Sequence, residues 1–149
     1  MKSQNKLIFQ KSNIGLGKRK QSVARVFLVP GEGNLIINKV SGNKYLQYND
    51  NYLNTIWAPL KELNLEKHFD IITIVKGGGL TSQSKAIQLG IARQLCKLDS
   101  HNRLILKPFG FLTRDSRIKE RKKYGLRKAR KRMAENRILE RHPTTRFAR

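Results

Sequence analysis

Between Arg114 and Arg149 the sequence sets fifteen Lys and Arg residues against four carboxylates, Asp115, Glu120, Glu135 and Glu140, a net +11 out of +22 for the whole chain. The chemistry open to such a run is neutralisation of phosphates, and nucleic acid is the densest polyanion a cell offers. Tyr124 and Phe147 are interleaved with the cations and supply rings that stack on bases or sugars. Large apolar side chains are few here, so the run cannot bury enough surface to offset the entropy of ordering, and its shape is expected to come from a partner. A solvated face or an address signal is the plainer account of a basic run. The length of this one and its interleaved rings exceed what an address needs.

Other chemistry finds less support. Lys76-Gly77-Gly78-Gly79 stands between a strand-like and a helix-like stretch, where backbone N–H groups attract phosphate. A phosphate loop, however, requires Gly directly before Lys-Ser/Thr, and Ser84-Lys85-Ala86 provides neither the glycine nor the hydroxyl. A tight turn that touches an RNA phosphate is the alternative. His68, His101 and His142 are far apart, and no Cys or His stands at zinc spacing. No His is placed by sequence to activate Asp70 or Ser82. No cofactor, metal or enzymatic activity is expected.

The elements that must position the cations occupy the middle of the chain. Residues 1–25 carry seven cations and no acid, whereas residues 26–113 carry ten against six. The middle is therefore ordinary globular sequence between two basic arms. Three segments are expected: a basic extension over 1–13, a globular domain over 14–113 and a basic tail over 114–149. Ile14 to Lys20 reads as a basic entry into a strand that runs to Val29, apolar on both parities and hence interior. Pro30-Gly31-Glu32-Gly33 reads as a turn, with Asn34 to Asn38 returning as the second strand of a hairpin. Ser41 to Trp57 is helical in parts. Phe69 to Val75 is β-branched and aromatic and predicts a buried strand. Leu80 to Leu98 predicts a helix whose apolar face is Ile87, Ile91, Leu95 and Leu98, with Lys85, Gln88, Gln94 and Lys97 on the other side. A short helix follows near Arg103 to Lys107. Strands followed by covering helices give an α+β fold with a mixed sheet.

No apolar run approaches the length of a membrane span, and residues 1–13 have no signal-peptide core. They also make a poor transit peptide, so the compartment that synthesises the protein is expected to keep it. The single Cys96 leaves no internal disulfide and is expected to pack. Lys, Asn and Ile together make 42 of 149 residues, a bias that follows AT-rich coding sequence such as that of plastid genomes.

Three separated motifs carry a resemblance. Gly15-Leu16-Gly17-Lys18-Arg19-Lys20-Gln21-Ser22-Val23-Ala24-Arg25-Val26, then KGGGLTSQSKAIQLGIARQL from Lys76 to Leu95, then Gly110 to Asp115 with Glu120 to Lys131, are similar in type and order to the ninth small-subunit ribosomal proteins of bacteria and organelles. The resemblance covers residues 14–131, with Gln94 standing where that family has a small residue or Leu. It implies the domain-two-like ribosomal α+β fold in the head of the small subunit, with a C-terminal extension threading rRNA toward peptidyl-site tRNA. The implied rRNA contacts are Lys18, Arg19, Lys20, Arg25, Arg114, Arg117, Arg121, Lys122, Lys123, Tyr124, Arg127, Lys128, Arg130, Lys131 and Arg132. The implied tRNA contacts are Arg146 and Arg149. Neighbouring head proteins are implied partners; no membrane and no homo-oligomer is expected. The implied location is the ribosomal small subunit, in a plastid rather than a bacterial cytoplasm. The chain departs from the family after Lys131, where Arg132 to Arg141 intervenes and the end reads Thr145-Arg146-Phe147-Ala148-Arg149 without a penultimate Lys. A free nucleic-acid-binding regulator or chaperone with a disordered basic tail is the competing account.

Overall fold

The computed structural model describes residues 14–132. They fall into two units, one ending at Ser116 and the other beginning at Arg117. In the first, strands β1 (Gly15–Arg19), β2 (Ser22–Pro30), β3 (Leu35–Ile37) and β4 (Val40–Ser41) lead into helices α1 (Gly42–Tyr45) and α2 (Asp50–Lys61). Strand β5 (Phe69–Lys76) and helices α3 (Leu80–Leu98) and α4 (Asn102–Leu106) follow. The strands form one mixed sheet in the order β1-β2-β5-β3-β4, so the expected α+β architecture is present.

Two strand assignments differ from the sequence reading. Ile14 to Lys20 is more than an entry: Gly15–Arg19 is a strand of its own, antiparallel to β2, reversed through Lys20, whose φ is 50°. The stretch after Pro30 does not return against β2. Strand β5 occupies that side of β2, antiparallel, and β3 pairs in parallel with the far side of β5. The cause lies at Asp70. Its Oδ1 accepts the backbone N–H groups of Glu32 at 3.1 Å, Gly33 at 2.9 Å and Asn34 at 2.7 Å, while Ile71 N–H donates to the Asn34 carbonyl at 2.8 Å. These bonds carry the chain around the start of β5. They hold the Asp70 carboxyl below its usual range, with the Asn34 N–H the largest cause, opposed by burial. A depressed folded-state pKa means stability that is present above the ordinary carboxyl range and lost as pH falls through the depressed value. Asp70→Ala is expected to cost about 1–2 kcal/mol at neutral pH. In thermal melts the gap between variant and parent should begin to narrow below about pH 4 and go on narrowing as pH falls through the depressed value; a gap unchanged over that fall would remove the carboxylate from the explanation.

Strand β1 docks on α3 without side chains between them. A Cβ at Gly17 would stand 1.8 Å from the Ala86 carbonyl oxygen, and one at Gly15 would stand 2.2 Å from that of Gly90. Only glycine permits such backbone approach. As an edge strand β1 exposes carbonyls, and α3 covers them: Arg93 Nη1 donates to the Leu16 oxygen at 2.7 Å and Lys97 Nζ to the Ile14 oxygen at 2.8 Å. The core beneath is built from Ala24, Val26, Ile37, Ile71 and Val75 of the sheet with Ile56, Leu60, Ile87, Ile91, Leu95 and Leu106 of the helices.

Helix α3 is buried well beyond one face, because it has the sheet on one side and α2 on another. Ile87, Ile91 and Leu95 are inside, as expected. Leu98, the last residue of the helix, is not, at 54% exposure. Gln94, expected on the outer side, is 2% exposed, in the space that Gly15 leaves by having no side chain. Cys96 packs against the core, and burial pushes its thiol pKa up.

Candidate nucleic-acid interface

The β1–β2 hairpin splits the first motif between the two faces of the sheet. Lys18 and Arg25 are exposed on the face away from α3, and Lys20 projects from the turn. Arg19, on the helix side, is committed within the fold: Nη1 donates to the Asp115 carbonyl at 3.1 Å, and Nη2 meets Asp115 Oδ2 at 2.9 Å. The Arg19 side chain is 13% exposed. It therefore pins the chain at the point where the basic run starts, leaving Arg114 exposed beside it. The sequence reading missed this pair, because 96 positions separate its members.

The glycine turn is filled by its own neighbours. Gly77 and Gly78 have φ of 74° and 67°, the left-handed region that favours glycine. The Gly77 carbonyl accepts Ser22 Oγ at 2.9 Å and Gln83 Nε2 at 3.1 Å, and the Ser22 and Ser82 hydroxyls are 2.7 Å apart. A Cβ at Gly78 would lie 2.0 Å from Ser22 Oγ. The turn joins β5 to α3, tied by Ser22, Ser82 and Gln83. Ser82 is bound into this network, and Asp70 into the backbone of residues 32–34. Among the described residues no group of three His, Cys, Asp or Glu is placed to hold a metal ion.

The second unit is described over residues 117–132. Arg121, Lys122, Lys123, Arg127, Lys128 and Lys131 are exposed, and the Tyr124 ring is fully so. The unit is not featureless, which differs from a shape supplied wholly by a partner. Glu120 and Arg130 form a two-pronged pair, Arg130 Nε donating to Oε2 at 2.8 Å and Nη2 to Oε1. This hydrogen bonding lowers the Glu120 pKa and raises that of Arg130. Between them the chain turns back through Gly125, with φ 73°, and Leu126 bridges Arg132 in antiparallel fashion. Arg127 N–H donates to the Lys131 carbonyl at 2.8 Å. The carboxylate spends one cation to close a loop that points the others outward. Arg117 and Arg132 also make interactions of their own. Residues 1–13 and the expected tRNA contacts Arg146 and Arg149 lie outside the described residues.

An α+β body that leads into a strongly basic extension defines the class of protein, and comparison with known sequences places it among ribosomal proteins. The family model described as Ribosomal protein S9/S16 matches residues 17–137. The small ribosomal subunit protein uS9c of Phaeodactylum tricornutum is 76% identical over 131 residues, covering 88% of this chain and 95% of that protein. Its counterpart of the same name in Thalassiosira pseudonana is 71% identical over 124 residues, 83% and 92% of the two chains. The small ribosomal subunit protein uS9 of a Cyanothece strain is 61% identical over 118 residues, 79% and 86%. These relatives are ribosomal proteins, not enzymes. The chain belongs to the ribosomal protein S9/S16 family.

Proposed function

We propose that this protein is a structural constituent of the small subunit of a plastid ribosome, held by small-subunit rRNA and neighbouring proteins, with its tail directed at peptidyl-site tRNA. The family match along the body and most of the tail carries the small-subunit reading, and the plastid form of several relatives' names supports the compartment. The rRNA reading rests on the exposed cations: Lys18, Lys20 and Arg25 on the hairpin, Arg114 at the tail's start, and Arg121, Lys122, Lys123, Arg127, Lys128 and Lys131 along it. Tyr124 adds a ring free to stack. Arg19 and Arg130 serve the interface by positioning, through Asp115 and Glu120 respectively. Native protein should sediment with the small subunit in moderate salt; a chain found free of it would favour the regulator reading instead.

The tRNA contact is assigned to the tip. Tyr124 to Arg149 is 26 residues, so an extended chain reaches up to roughly 80 Å beyond an rRNA anchor. Arg146 and Arg149 offer planar forks for phosphate. Deleting Arg146 to Arg149 is expected to leave incorporation into the subunit intact and to weaken tRNA retention by about 1–3 kcal/mol, the scale of one or two charge-assisted bonds. The check is the tRNA dissociation rate from subunits carrying the truncated and full-length chains. Equal rates would show that this longer tail does not make the contact.

A further inference from the structure

The sheet face turned away from α3 has a composition that the tail does not explain. Pairing register puts Lys18, Val23 and Lys76 in one row across β1, β2 and β5, and Leu16, Arg25 and Ile74 in the next. Alternation sends Gly17, Ala24 and Val75 to the core, so both rows point away from it. Leu16 and Ile74 are 40% and 41% exposed, and Lys18, Arg25 and Lys76 are exposed too. The only carboxylate in these three strands is Asp70, at the far end of β5 and bound to backbone N–H groups.

We infer that the exposed end of this face is itself an RNA-docking surface, in which Lys18, Arg25 and Lys76 hold phosphates while Leu16 and Ile74 lie against the sugars. The inference rests on the rRNA reading above and adds Lys76, Leu16 and Ile74 to it. Charge decides the partner: the central part of a protein interface is depleted in charged residues, whereas here cations alternate with aliphatic side chains and no free carboxylate answers them. Lys18 and Lys76 are two strands apart, roughly 10 Å, a span that one RNA strand covers with consecutive phosphates under flexible side chains. Phe27, the aromatic residue of these rows' face, is only 4% exposed, so no ring is offered to a base. Recognition through backbone and ribose is then indifferent to sequence.

A photo-crosslinking benzoylphenylalanine at Ile74 of the full-length chain, carried into small subunits, tests this directly. The expected product is an rRNA adduct that ribonuclease destroys; a protein adduct, or none, overturns the inference. Sedimentation of the same chain reports the wider reading separately: failure to enter the subunit would defeat the rRNA assignment and the inference with it. In filter binding to small-subunit rRNA, changing Lys18, Arg25 and Lys76 together to Gln should reduce the slope of log K against log salt by about 2 to 3. The same change at Lys39, Lys44 and Lys67, outside this face, should leave it unaltered. Equal effects of the two sets would show diffuse attraction and no docked face.

Discussion

The affinity of the full-length chain for small-subunit rRNA is expected to fall about 10⁴- to 10⁵-fold between 50 and 200 mM salt. Thirteen of the cations assigned to rRNA are exposed. Setting aside Arg130, paired with Glu120, and Arg117 and Arg132, which make interactions of their own, leaves ten: Lys18, Lys20, Arg25, Arg114, Arg121, Lys122, Lys123, Arg127, Lys128 and Lys131. Each phosphate neutralised releases about 0.7 counterions from a single strand and 0.9 from a duplex, so ten contacts predict a slope of roughly −7 to −9. Arg19 and Arg130 are left out because Asp115 and Glu120 already neutralise them within the chain. Changing Arg121, Lys122 and Lys123 to Gln should lower the slope's magnitude by about 2 to 3, and by similar amounts for unrelated RNA sequences. A filter-binding titration of parent and variant makes the check. A parent slope near −2 would mean that most of these cations face solvent in the complex.

The sheet order shows where a sequence stops being readable. Phe69 to Val75, and Leu80 to Leu98, are legible because β-branched runs and four-residue apolar spacing express local geometry. What β3 pairs with is not local: it depends on Asp70 reaching back 36 to 38 positions to three backbone N–H groups. Nothing in the spacing of Pro30 to Asn38 distinguishes a hairpin from a crossover. The interface divides similarly. That Lys18 and Arg25 face outward follows from alternation once the strands are paired, and the basic tail announces itself by charge. The tie of Arg19 to Asp115 needed the fold to bring the two together. Glu120 and Arg130 are ten positions apart. A carboxylate inside a cationic run was a signal for that pair, but the turn at Gly125 that closes the distance was not.

Ile91→Ala is expected to destabilise the body by about 2–5 kcal/mol, because it removes a fully buried side chain of the core and leaves a cavity. The surroundings cannot close over that cavity. Helix α3 is held against β1 at Gly15 and Gly17 by backbone contact, and it is tied there by Arg93 and Lys97 to the Leu16 and Ile14 carbonyls. A helix seated on backbone cannot sink further, so the cost should fall toward the upper part of the range. Leu98→Ala supplies the internal comparison. It removes the same kind of aliphatic side chain from the same helix at a site 54% exposed, and it should cost no more than about 0.5 kcal/mol. Denaturant titrations of the two variants beside the parent measure both. Similar losses would mean that α3 presents one continuous apolar face through Leu98, as its spacing alone suggests; a large loss confined to Ile91 would mean that the close seat on β1 decides which side chains count.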